Sequence, residues 1–121
     1  MISPTGEAAR RQRPKRVATK RLYVIRLDPA VLGVARFRAA NPNHRTDKPC
    51  VYVGSTGRDP QTRFEQHLTG YKAARIVTRY GLALKQPMTR NLPPVPWPEA
   101  ERAERRLAEK LRARGYAVWQ N

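Results

Sequence analysis

The sequence predicts a small α/β sandwich of about three layers. Three observations lead there: short runs of β-branched and aromatic residues, Asp-Pro pairs that open helical segments, and a length of 121 residues, which suits one domain with a modest core.

Residues 1–20 are rich in Arg, Lys and Pro and show neither a 2.0 nor a 3.6 period, so they are expected to form a mobile basic arm ahead of a folded domain over 21–121. The cluster Arg10, Arg11, Arg13, Lys15 and Arg16 fits a solvated tail and a phosphate-tracking one equally well. Arg21 to Leu27 reads as the first strand, stopped by Asp28-Pro29. Asp28 then caps a helix that runs through Val31, Val34 and Ala35 to the breaker Asn41-Pro42. A polar loop holding His44 and Arg45 leads into the second strand, Pro49 to Ser55, which a glycine turn ends. Asp59-Pro60 repeats the cap and opens a helix through Phe64 and Leu68, stopped by Gly70. A short helix over 71–80 ends at Gly81, and Leu82 to Leu84 is a third strand before the Pro-rich stretch 91–98. The last helix spans Pro98 to about Arg114, with Glu99 and Glu101 in its first turn as the helix dipole prefers. Tyr116 to Trp119 is a candidate terminal strand.

Charge narrows the function. Lys and Arg total 25 against 9 acidic residues, a formal net charge of +16, and a domain bears that self-repulsion most readily when its partner is a polyanion. Nucleic acid is the expected partner, and Lys72 and Arg75 join the arm as candidates for its phosphates. No stretch approaches a spanning helix and the start of the chain has no apolar secretory core, so a cytoplasmic protein without a membrane role is expected. The lone Cys50, beside the strand valines Val51 and Val53, reads as a core residue.

One carboxylate breaks the pattern. On the last helix, Ala103, Leu107, Leu111 and Ala108 span an arc of about −60° to +80°, and Glu104 falls inside it at about +40°. A carboxylate facing a core needs a compensating cation or hydrogen bonds, and the cation readings are a buried arginine or a divalent metal. Arg63 and His67, four apart on one helix face, read either as surface groups or as a pair suited to a bound phosphate. Tyr23 and Tyr52 are ordinary strand aromatics taken singly, and stand side by side if their strands pair.

Together these residues resemble the GIY-YIG nuclease family over nearly the whole chain after the arm. Leu22-Tyr23 corresponds to the end of the first motif and Tyr52-Val53-Gly54 to the second. Arg63-Phe64-Glu65-Gln66-His67 matches the helical arginine and the residue one turn on, and Glu99-Ala100-Glu101-Arg102-Ala103-Glu104 places the family's glutamate at Glu104. Arg21 stands where the family has its first glycine, and residues 28–48 form an insertion between the first two strands. Asn121 is the sole counterpart for a late asparagine.

The resemblance implies a central, mainly antiparallel three-stranded sheet flanked by helices. It also implies a metal-dependent endonuclease, with DNA favoured over RNA. Glu104 would hold one Mg²⁺ or Mn²⁺, and Arg63 would neutralise transition-state charge. Tyr23 or Tyr52, its phenol acidified by nearby cations, would deprotonate the attacking water, with His67 as helper or alternative base. Gly54 and Asn121 are further candidate site residues. The remaining length holds no second DNA-reading module, so sequence specificity would require a homodimer or a partner protein. A non-catalytic DNA- or RNA-binding module on the same scaffold explains the charge as well, and a structural protein of a ribosome-like particle is a third class.

Overall fold

The structure is a computed structural model that describes residues 18–120. Its axis is β1, Thr19–Leu27, whose buried centre Leu22 to Ile25 is the β-branched and aromatic run of the sequence. It pairs antiparallel with β2, Cys50–Thr56, in a register that sets Tyr23 opposite Gly54 and Ile25 opposite Tyr52. On its other side β1 meets β3, Gly81–Leu84, antiparallel, with an irregularity at Arg26 and Leu27.

The sheet has five strands where three were expected. A two-residue strand, β4 (Val95–Pro96), pairs with the start of β1, and β5 (Ala117–Gln120) runs parallel to β2, giving the order β3-β1-β2-β5 with β4 off the path. β5 is the candidate terminal strand. β4 lies in the Pro-rich stretch, where composition argues against a strand; a two-residue pairing at a sheet margin tolerates a proline that a central strand does not.

The segment after β1 departs from its expected single helix. Asp28 does cap, accepting from the Ala30 amide at 2.9 Å, but only a 3-10 turn follows, Pro29–Gly33. Val34 is extended, and α1 covers just Ala35–Ala39. Gly33 is a weak helix former, and the break lets Val31 and Phe37 both reach the core, where each is fully buried. Asn41, read from sequence as a breaker, is buried and structural. Its amide donates to the Phe37 and Val118 carbonyls at 2.8 and 3.0 Å and accepts from the Val118 amide at 2.7 Å and from Arg112 Nε at 3.0 Å.

The helix at Asp59-Pro60 forms as expected. In α2 (Pro60–Thr69) the Asp59 carboxylate accepts from the Thr62 amide at 3.1 Å, and Gly70, at φ 88°, ends it. α3 is shorter than expected, Arg75–Tyr80, because residues 71–74 turn through Lys72 at φ 43°. α4 (Gln86–Arg90) was not anticipated; its buried Thr89 accepts from the Val24 amide at 3.0 Å. A 3-10 turn, Trp97–Glu99, precedes α5, Ala100–Ala113.

The period-2 alternation of the strands divides the core in two. Tyr23, Ile25, Leu27, Cys50 and Tyr52 face α2, α3 and the post-β1 segment, packing on Phe64, Val77, Val31 and Phe37. Val24, Val51, Val53 and Val118 face α5, packing on Ala108 and Leu111. Cys50 is a buried free thiol in the first of these layers. Among the described residues no helix is long and apolar enough to cross a membrane.

Candidate active site

The strand pairing brings Tyr23 and Tyr52 onto one sheet face, ring centroids 6.2 Å apart, and α2 lowers His67 onto both, at 6.0 and 5.5 Å. All three side chains are almost completely buried. The close fit explains Gly54. A Cβ at that position would lie 2.6 Å from Tyr23 Oη and 2.9 Å from Tyr52 Cε2, so the phenol of Tyr23 folds over a strand residue that has to lack a side chain.

Tyr23 Oη lies 2.8 Å from His67 Nε2. The other ring nitrogen, Nδ1, accepts from the Ala74 amide at 3.2 Å, and a backbone amide only donates. Burial, with the Arg63 charge adding to it, pushes His67 down to about 4, so the ring is neutral at pH 7. Its one proton therefore sits on Nε2 and is donated to Tyr23 Oη. With Nε2 already protonated, the neutral ring has no free nitrogen toward Tyr23 to accept a proton, which argues against His67 as an alternative base.

Both phenols are harder to ionise than free tyrosine, which corrects the expectation of an acidified phenol. Burial dominates: Tyr23 is pushed up to about 12, with the Arg63 guanidinium and the Tyr52 hydroxyl pulling the other way. Tyr52 is pushed up further by burial, by the Tyr23 phenol and by the Glu104 charge.

Arg63, half-buried, is tied to the loop after α2. Its guanidinium donates to Gln66 Oε1 at 3.1 Å and to the carbonyls of Tyr71 and Lys72 at 3.1 and 2.6 Å, while its charge acts on Tyr23, Tyr52 and His67. Lys72 and Arg75 are exposed outside this cluster. Arg75 borders an open groove of about 670 Å³ with Arg36 and Arg79.

Glu104 arrives from the other layer. It projects from α5 beside the end of β2, half-buried, and accepts a short hydrogen bond from Ser55 Oγ. Burial raises its pKa, against the contacts with Ser55 and Gln120 and the charge of Lys20, and its own charge bears on both phenols. The donor set is hard oxygen, a carboxylate and a hydroxyl. It fits Mg²⁺ or Mn²⁺ in the sparing way typical of Mg²⁺, which keeps most of its ligands as water and phosphate oxygen. Among the described residues no group of three or more His, Cys, Asp or Glu side chains gathers.

Ser55, Lys20 and Gln120 are the neighbours of Glu104 that sequence reasoning did not single out. Ser55 was findable: it follows Tyr52-Val53-Gly54, and alternation puts it on the face that α5 covers, with Val51 and Val53. Arg10, Arg11, Arg13, Lys15, Arg16 and Asn121 lie outside the described residues. No protein-family model, curated protein or solved structure matches the chain.

Proposed function

We propose that the protein is a metal-dependent endonuclease that hydrolyses phosphodiester bonds in nucleic acid, with DNA the favoured substrate, and that it is of the GIY-YIG kind. The observation that carries this reading is the buried Tyr23–His67–Tyr52 cluster, closed over Gly54, with the Glu104 charge bearing on both phenols. Packing alone does not require a donated hydrogen bond to a phenol that has a second hydroxyl and a guanidinium beside it. Of the two phenols, such a set favours Tyr23 as the one that ionises, through the hydrogen bond that His67 donates to it.

In this mechanism the active form is the fraction in which Tyr23 has already lost its proton to solvent, its phenolate held by His67 Nε2–H and the nearby charge of Arg63. The phenolate takes a proton from the attacking water, the hydroxide forms the new P–O bond as the bond to the leaving oxygen breaks, and the leaving oxygen takes up a proton from solvent. Arg63 has part of its fork committed to the loop carbonyls, so it acts mainly through its charge. Glu104, oriented by Ser55, would hold the single Mg²⁺ or Mn²⁺. That ion, when bound, supplies Lewis-acid stabilisation of a phosphate oxygen.

The test is incubation with supercoiled plasmid and Mg²⁺ or Mn²⁺, with a chelator control. Nicked or linear DNA from the wild type, and none from a Glu104→Gln protein that still binds DNA, is the expected result. Nicking that is absent from the wild type, or unchanged in the variant, overturns the reading.

A binding module without activity is the second reading, and one observation favours it. The bonds from Arg63 to the Tyr71 and Lys72 carbonyls are those of a residue that shapes a loop. The plasmid assay separates the two.

A further inference from the structure

Arg21, at the start of β1, occupies the place of the glycine with which the resembling motif begins, and its environment is unusual. Its Nε is buried with no hydrogen-bond partner among the described residues. A buried N–H left unpaired is a cost the fold would avoid unless something absent from the protein alone completes it. The side chain borders a small cavity of about 180 Å³, shared with Arg90 and Gln86 of α4 and with Asp59. Asp59 is the one carboxylate on that lining, and it is already engaged in capping α2 through the Thr62 amide. Two arginine side chains and two carboxamides, Gln61 and Gln86, therefore line a space with room for a small oxyanion.

Position along the strand gives the cavity its meaning. Arg21 and Tyr23 are two residues apart in β1, so they share a face about 7 Å from one another at the usual rise per residue. That is on the order of one nucleotide step. We infer that Arg21 and Arg90 form a second phosphate subsite, which takes the phosphodiester next to the one placed at Tyr23. The inference rests on the nucleic-acid reading of the site, but not on its being catalytic. It gives the substituted glycine position a role: the side chain there grips the neighbouring backbone phosphate with a planar fork, which a lysine does not reproduce.

The experiment uses the full chain without metal. Arginine Nε–Hε resonances are followed while inorganic phosphate is added, with chloride at equal ionic strength as control. One resonance, missing from the spectrum of the Arg21→Gln protein, is expected to shift saturably with phosphate and not with chloride, and Arg90→Gln should weaken that binding at least threefold. In parallel, the dependence of duplex DNA affinity on salt should lose about one unit of log–log slope in Arg21→Gln. Arg21→Lys should keep the slope while weakening the saturable phosphate response read on the Arg90 resonance. No saturable shift of the Arg21 resonance, or an unchanged slope in Arg21→Gln, overturns the subsite. Both readouts are binding measurements, so a wild type that fails to nick plasmid yet shows them retains the subsite and loses only the nuclease reading. The exposed Arg90 supplies the second variant should Arg21→Gln not fold, and an Arg90→Gln protein with undiminished phosphate binding then overturns the proposal.

Discussion

Tyr23 Oη accepts a hydrogen bond from His67 Nε2 at 2.8 Å, and the direction of that bond is set by the Ala74 amide on the far side of the imidazole. A phenol held this way is stabilised when it gives up its own proton. Tyr23→Phe should lower kcat at least ~100-fold, within the range general-base catalysis contributes. Tyr52→Phe, which removes a neighbouring hydroxyl and not the base, should cost less. His67→Gln retains an N–H donor and should keep more activity than His67→Leu. Because Tyr23 is pushed up to about 12, log kcat should climb with unit slope over the neutral to mildly alkaline range, read from single-turnover cleavage. A plateau beginning below pH 7 would move the base elsewhere.

The same histidine makes stability depend on acid. His67 stays neutral in the fold down to about 4, whereas in the unfolded chain it protonates near 6.5. Between those values the unfolded state binds more protons, so unfolding free energy rises with pH. The His67 contribution is fully present above 6.5, is lost as pH falls from 6.5 to about 4, and changes no further below that. Urea midpoints of the wild type should fall across this window, and those of His67→Gln should fall less.

Gly54→Ala should destabilise the protein by roughly 1–3 kcal/mol, the usual cost of forcing volume into a packed core. The added Cβ meets Tyr23 Oη at 2.6 Å and Cζ at 2.7 Å, and the ring has no free space to leave by. Denaturation measures the loss, and cleavage should fall further than stability explains because Tyr23 is levered away from His67.

Glu104→Gln should separate activity from stability. Burial raises the Glu104 pKa, so folding disfavours its charged form at neutral pH, and removing the charge should leave the thermal midpoint equal or higher. Metal-dependent nicking should vanish because uncatalysed phosphodiester hydrolysis is extremely slow. A buried ion-pair partner would behave in the opposite way, with a marked drop in midpoint.

Much of the fold was legible because its elements carry local signals. The β1 and β2 runs, the Asp59-Pro60 cap and the Gly70 stop each act within a few residues, and so does the helical period that sets Glu104 among apolar positions. What escaped depends on distant partners. β4 exists only because Thr19 and Lys20 lie alongside it, and α4 places Thr89 against the Val24 amide. The direction of the His67 bond needs Ala74, seven residues away, and the high phenol pKa comes from burial, which no spacing reveals. The count of nearby arginines suggested acidification; the depth of the rings decided the reverse.

Asn41 has one more consequence, for how copies of this chain can meet. An amide side chain presses against the outward flank of β5 and occupies both the N–H and the C=O of Val118, with Arg112 on the same carbonyl at 3.0 Å. A second molecule approaching edge-on finds the backbone groups of Val118 already taken, which works against continuing the sheet across two copies at that residue.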